Sequence, residues 1–417
     1  MVDKICVLFL CTFACFVCVK TDVVCEVGFC QSFLSDADNS CPQTAADCDI
    51  NNATHTGLRL KSPTLCNCCD YCLPLYGKGD HCSLGGPGTG TTIGRCGHGL
   101  TCDPETSKCI RMKSKCHDAQ DVFDARASRG EVGALERRPY CDAKGRFVAF
   151  DCVPTQTCFC QSEEGERLFG EVLYTGPLQN MPCGCSRFNE QIRKLISTKV
   201  PFPVPGPRCT ADGNFNPVQC IDRICYCVNR INGEISGGET INLDTEPISK
   251  LPCYDPNFDL FPEIFWAEPP YNYTTPCYNS VQDKAKIIEQ GERDGFIMDY
   301  FNTFDDMDCL PDGTTGRIGR TRNGSKICID QRQNRIGDYE AHMNTPEYEN
   351  MDCKCALTTE LMTALSEKPV CCANGNFRTI QCYRGFCRCV DSDGRQIGRE
   401  EREVNRLQCF TSNWQQC

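Results

Sequence analysis

The sequence predicts a row of small disulfide-rich modules, most of them a short helix plus a few small β-strands, and three observations carry that prediction. The 417-residue chain holds 40 cysteines, a density that marks secreted disulfide scaffolds rather than ordinary cytosolic domains. Behind a short charged start, Ile5–Val19 (ICVLFLCTFACFVCV) is an apolar run of signal-peptide length, too short for a comfortable membrane span. One cysteine pattern then recurs along the chain, as modular repeats do.

Residues 1–21 are expected to be a signal peptide, cleaved between Cys18 and Val24, which removes Cys6, Cys11, Cys15 and Cys18 and leaves an even number of cysteines. The mature protein should be secreted and extracellular. No later stretch is apolar enough to span a bilayer. A net charge of −12 argues against nucleic acid or an anionic membrane as the main partner. The triplets starting at Asn52, Asn272 and Asn323 are candidate glycosylation sites and fit a secretory route.

The recurring pattern is clearest in PRCTADGNFNPVQCIDRICYCV (Pro207–Val228) and PVCCANGNFRTIQCYRGFCRCV (Pro369–Val390), with a looser copy in PYCDAKGRFVAFDCVPTQTCFC (Pro139–Cys160). Each time Pro stands two residues before a Cys, Gly four after it, Phe six after it and the next Cys eleven after it. A Cys-x-Cys follows after a short loop. A fourth copy, DCLPDGTTGRIGRTRNGSKICID (Asp308–Asp330), keeps Cys309 and the Asp312-Gly313 turn but has Arg320 and Lys326 where the others have cysteines. Two cysteines lost together point to a bond between them, because a lone thiol in an oxidising compartment is a liability. Cys152 should therefore pair with Cys158, Cys220 with Cys225 and Cys382 with Cys387. Closing so short a loop contributes roughly 2 to 2.5 kcal/mol against about 3.5 for one of twenty-five residues, so the copy without it can survive on its longer bridges.

These copies resemble thyroglobulin type-1 domains, in which a Cys opens a short helix and Pro-x-Cys, Gln-Cys, Cys-Trp-Cys-Val and a last Cys follow, paired one-two, three-four and five-six. The resemblance implies a first repeat (113–183) with Cys116, Cys141, Cys152, Cys158, Cys160 and Cys183. A second (184–253) has Cys185, Cys209, Cys220, Cys225, Cys227 and Cys253. A degenerate third (277–353) keeps Cys277, Cys309, Cys328 and Cys353. The fourth, with a C-terminal tail (354–417), has Cys355, Cys371, Cys382, Cys387, Cys389 and Cys409, leaving Cys372 and Cys417 to pair with each other. The family Trp is replaced by Phe159, Tyr226 and Arg388, and Gln-Cys is Asp151-Cys152 in the first copy.

Between Cys25 and Cys109 lie twelve cysteines, including CNCCDYC (Cys66, Cys68, Cys69, Cys72). This module (22–112) resembles the N-terminal domain of insulin-like growth factor binding proteins and is expected to be loop-rich, although two motif glycines are Leu65 and Asn67 and a Gly-rich insert occupies Ser83–Gly94. The resemblance implies capture of an insulin-like or other growth-factor peptide. Leu73, Leu75 and Tyr76 could offer an apolar patch but read as packing beside the cysteine cluster. The Cys69-x-x-Cys72 spacing fits zinc or redox chemistry elsewhere; after a signal peptide it reads as disulfides. Lys78-Gly79-Asp80 reads as a plain turn rather than an integrin tripeptide.

Within the repeats, the stripes Phe188, Ile192, Leu195, Ile196 and Leu357, Leu361, Met362, Leu365 mark helices whose apolar faces are expected in the core. The segment 254–276 mixes seven aromatics with prolines and is expected to be a linker packed against the third repeat. The five histidines, His55, His81, His98, His117 and His342, stand singly outside any catalytic or phosphate-binding motif. No enzyme chemistry and no cofactor are expected.

Some thyroglobulin type-1 domains inhibit papain-like cysteine proteases by inserting a wedge of loops into the active-site cleft. By that resemblance the contact residues would be Pro203, Val204, Pro205, Ile221, Asp222, Arg223 and Ile224 in the second repeat. In the fourth they would be Lys368, Pro369, Tyr383, Arg384, Gly385 and Phe386. A stapled, Pro-stiffened loop loses little entropy on docking. The leading expectation is a secreted cathepsin-type protease inhibitor, with growth-factor capture as the alternative. The third repeat, with Asn323 in the matching turn, is expected to be structural.

Overall fold

The computed structural model describes residues 28–36, 41, 48, 57–61, 68–84, 94–195, 206–262, 265, 268–297, 309–362 and 367–414. The chain divides into two compact units, Met1–Met112 and Lys113–Cys417. The expected signal peptide and Asn52 lie outside the described residues, as do Cys25, Cys66 and Cys417. Among the described residues every cysteine is disulfide-bonded, and no helix is long and apolar enough to cross a membrane.

In the first unit a short helix, α1 (Phe29–Ser35), precedes an antiparallel pair, Gly57–Lys61 with Asp70–Tyr76, whose end runs parallel to Arg95–Cys96. A second small pair joins Leu100–Cys102 to Cys109–Arg111. Bridges Cys30–Cys68, Cys41–Cys69, Cys48–Cys72, Cys82–Cys102 and Cys96–Cys109 tie these pieces together. Among its described residues the buried apolar ones are Cys48, Cys69, Leu73 and Cys109, where sulfur stands in for an oily core that a module of this size cannot assemble. Crowding there is severe: a Cβ on Gly57 would lie 2.1 Å from the Cys72 sulfur.

The second unit repeats one plan four times. A helix carrying a bridged cysteine in its first turn leads into a three-stranded antiparallel sheet with the Cys-x-Cys strand, or its counterpart, in the middle. The helices are α2 (Lys115–Ser128), α3 (Gly184–Leu195), α4 (Pro276–Arg293) and, after the single turn α5 (Pro346–Glu349), α6 (Lys354–Leu361). Ser114 caps α2 by accepting from the His117 amide at 3.2 Å, and Thr275 caps α4 ahead of Pro276. Both are standard starts: a side-chain oxygen satisfies a free amide and Pro sits where no amide is needed. The central strands are Thr157–Gln161, Ile224–Val228, Lys326–Ile329 and Phe386–Val390.

The outer bridges are Cys116–Cys141, Cys160–Cys183, Cys185–Cys209, Cys227–Cys253, Cys277–Cys309, Cys328–Cys353, Cys355–Cys371 and Cys389–Cys409. The hairpin bridges are Cys152–Cys158, Cys220–Cys225 and Cys382–Cys387. Each core is small, as in the cluster of Cys152, Cys158, Cys160, Met181 and Cys183 in the first repeat.

Repeats join in pairs through one shared contact. The motif glycine four residues after the Pro-x-Cys cysteine has positive φ, 79° at Gly213 and 80° at Gly375, which glycine adopts without steric cost. A Cβ on Gly213 would sit 2.4 Å from the Cys160 sulfur of the preceding repeat, and one on Gly375 2.4 Å from that of Cys328. Beside this contact the Glu171 amide donates to the Ala211 carbonyl, and the Glu340 amide to that of Ala373.

Two expectations are corrected here. The apolar stripe of α3 is not core: Phe188 is 47% and Leu195 83% exposed. The bridge Cys185–Cys209 fixes which face turns inward, burying Cys185 and Ser186, while Arg187 reaches back to the Phe147, Val148, Gln161 and Ser162 carbonyls of the first repeat. In α6 the stripe does meet the interior through Leu357 and buried Met362. Ile196 and Leu365 lie outside the described residues.

The segment after Cys253 packs chiefly on the second repeat, not the third. Tyr254, Phe265, Tyr271 and Tyr273 cover its cluster of Val218, Ile241, Leu243, Ile248 and Leu251. The aromatics that follow in the chain close over that cluster. Buried Asp259 anchors the segment, paired with Arg208 at 3.0 Å and accepting from the Tyr273 hydroxyl at 3.0 Å. Burial pushes the Asp259 carboxyl above its ordinary value despite the opposing charge of Arg208.

Candidate functional site: the bridge-closed turns

The strands Val218–Ile221 and Ile224–Val228 pair in a hairpin with Cys220 opposite Cys225, and Ile380–Tyr383 and Phe386–Val390 do the same with Cys382 opposite Cys387. The turn residues take left-handed backbone, with φ of 54° at Asp222, 50° at Arg384 and 79° at Gly385. A covalent staple directly behind so tight a turn leaves it few conformations to lose on docking. Its flanks are apolar and open: Ile221 is 65% exposed, Ile224 43% and Phe386 44%.

A buried glutamine fixes the neighbouring loop to each hairpin. The Gln219 side chain accepts from the Arg208 amide and donates to the carbonyls of Arg208 and Asn216, all within 2.9 Å. Gln381 repeats this on Val370 and Arg378. The Gln-Cys pair visible in the sequence was the signal for this clamp, although its role as a loop anchor was not read there.

Charged side chains brace the turns from outside. Arg223 bonds Asp244 at 2.9 Å and the Tyr271 carbonyl at 2.9 Å, and Arg384 bonds Glu367 at 2.6 Å. The Tyr383 hydroxyl donates to the Lys368 carbonyl. Burial pushes the Tyr383 hydroxyl up to about 12, so it stays a donor across the physiological range.

Of the other proposed contact residues, Pro203, Val204 and Pro205 lie outside the described residues. Lys368 is half-buried and Pro369 is buried, which corrects the expectation that Pro369 touches a partner. Gln381 draws the Val370 backbone inward, and the Val370 side chain, 38% exposed, is the one presented.

The remaining two hairpins are not open stapled turns. In the first repeat Val153, Gln156 and Thr157 are buried. Asp151, standing where the family has Gln, accepts from Arg395 of the fourth repeat at 2.8 Å. In the third repeat Arg320 stands opposite Lys326 with no bridge, Lys326 turns to the Tyr348 ring and carbonyl, and Asn323 is exposed in the turn.

The first unit has no comparable site among its described residues. Leu73 is buried and Leu75 and Tyr76 are half-buried. The sulfurs of Cys82, Cys96 and Cys102 lie close together, but the bridges Cys82–Cys102 and Cys96–Cys109 consume them, so they offer no thiolates to a metal. In the Lys78-Gly79-Asp80 stretch the Asp80 carboxylate accepts from the Gly77 amide at 2.7 Å, which makes it a self-closed turn.

The chain carries thyroglobulin type-1 repeats: the model of that repeat family matches residues 185–246 and 362–409, and both open turns fall inside the matched segments. It is similar to equistatin of Actinia equina, 32% identical over 132 residues covering 30% of this chain and 52% of that protein. It is also similar to thyroglobulin of Sus scrofa, 31% identical over 103 residues, and of Mus musculus, 23% identical over 272 residues. The matches take in about half the length of equistatin and 4% and 8% of the two thyroglobulins.

Proposed function

We propose that this chain is a secreted binding protein, not an enzyme, which inhibits papain-like cysteine proteases by occluding their active-site cleft with the turns of its second and fourth repeats. The observation that carries this reading is selective exposure. Of the four hairpins, Ile221–Ile224 and Tyr383–Phe386 alone are both bridge-closed and open to solvent, and they belong to the two repeats matched by the family model. An apolar side chain on each flank, a rigid turn and a clamped neighbouring loop suit a cleft that must be filled without a cleavable bond being offered.

Titrating the purified full chain, produced without N-linked glycans, against a papain-like protease tests this. The expected result is stoichiometric loss of turnover, weakened by Ile221→Asp and by Phe386→Asp and abolished when the two are combined. Unchanged turnover at micromolar chain would overturn the proposal.

A further inference from the structure

We propose that Asn272 carries an N-linked glycan and that this glycan covers the Arg223 turn of the second repeat. Asn272-Tyr273-Thr274 is an acceptor triplet, and the fold fixes it beside the turn. The Tyr271 carbonyl accepts from the Arg223 guanidinium at 2.9 Å, and the Tyr271 amide donates to Leu243, whose own amide donates to the Arg223 carbonyl. Asn272 is thus one residue from an atom that touches the turn.

On its other side Tyr273 is locked, with the Arg208 guanidinium 4.4 Å from its ring centroid, the Phe265 ring at 5.0 Å and its hydroxyl on Asp259. Held at both neighbours, the Asn272 backbone cannot swing away from Arg223.

The side chain suits attachment. Asn272 is half-exposed, and among the described residues its amide makes no hydrogen bond. The amides of Asn189, Asn214 and Asn216 in the second repeat are all engaged, with Cys185 and Pro207, with Asp212 and with Asp259. A bulky, hydrated oligosaccharide rooted at Asn272 would lie over exposed Ile221 and Ile224. Residues 355–417 contain no acceptor triplet, so the fourth repeat's turn stays bare. The functional consequence rests on the docking reading above: the glycosylated chain docks through Tyr383–Phe386, and the second turn works only when stripped.

The test uses the full chain secreted from a eukaryotic host. Peptide mass spectrometry should find a glycan on Asn272. Labelling of Arg223 by phenylglyoxal, with Arg384 as internal reference, should rise several-fold after enzymatic glycan removal under native conditions and in Asn272→Gln, while Arg384 is unchanged. A bare Asn272 overturns the site, and equal Arg223 labelling with and without the glycan overturns the cover. Protease titration of both forms is read separately: a second binding equivalent on the stripped chain supports the consequence, whereas no inhibition by either form ends the docking reading and leaves the glycan result standing.

Discussion

Arg395 of the fourth repeat donates through Nε to the Asp151 carboxylate of the first at 2.8 Å, closing a contact between residues 244 positions apart in the chain. The same guanidinium lies 4.8 Å from the centroid of the buried Phe159 ring, with Arg167 at 4.3 Å from that centroid, and pairs with Asp393 at 3.0 Å. Nearby, the Glu136 carboxylate accepts from both Arg126 and the Gly398 amide. Together these contacts fasten the first repeat to the fourth.

Arg395→Met should therefore loosen this fastening. Breaking a largely buried pair leaves carboxylates without their partner, and with a side chain 27% exposed the expected cost is about 2 kcal/mol after screening is allowed for. Guanidinium denaturation checks it; an unshifted midpoint would show the contact to be ornamental.

The same junction should survive mild acid. Burial works against the charged form of Asp393, but the Lys354 hydrogen bond and the charges of Arg395, Lys354 and Arg167 hold its carboxyl below the ordinary 3.8. A carboxylate depressed in the folded state contributes stability above 3.8 that is lost as pH falls through its lowered value. Asp352, pushed up by burial, acts oppositely, its contribution fading as pH rises through the raised value. Denaturation followed against pH should show the Asp393 contribution intact at about pH 5 and lost only below the ordinary 3.8.

Gln381→Ala should free the Val370 loop. The substitution leaves the Val370 amide unpaired and its carbonyl with the Arg378 amide alone as donor, a loss of about 1 to 2 kcal/mol. Exchange at Val370 should accelerate and protease affinity should fall.

In the third repeat, Arg320→Cys with Lys326→Cys should restore a hairpin bridge. The two positions are in the register that Cys220 and Cys225 occupy in their own repeat, and closure of so short a loop is worth roughly 2 kcal/mol. Loss of the Lys326 contact with Tyr348 offsets part of it. Mass spectrometry should show two hydrogens lost, with a raised melting temperature.

The fold class was legible because cysteine spacing fixes module size and the Gly and Phe positions fix the turns. Helix α3 was misread because periodicity reports an apolar face without saying where it points; Cys185 and Arg187 decide that. The aromatic segment's true bed, the Val218 cluster, is assembled from three strands and the turn after them, which no local pattern records. The fastening of first repeat to fourth was invisible for a similar reason, since it needs the chain to return on itself. Its one trace was Asp151 in a glutamine's place.

The sulfur-to-glycine joints at Cys160–Gly213 and Cys328–Gly375 bear on how the molecule should be dissected. A cut made between Cys183 and Cys185 would strip the joint from both fragments and lay bare a surface shaped to admit no side chain. A graft of either open turn into another scaffold should therefore carry its preceding neighbour along.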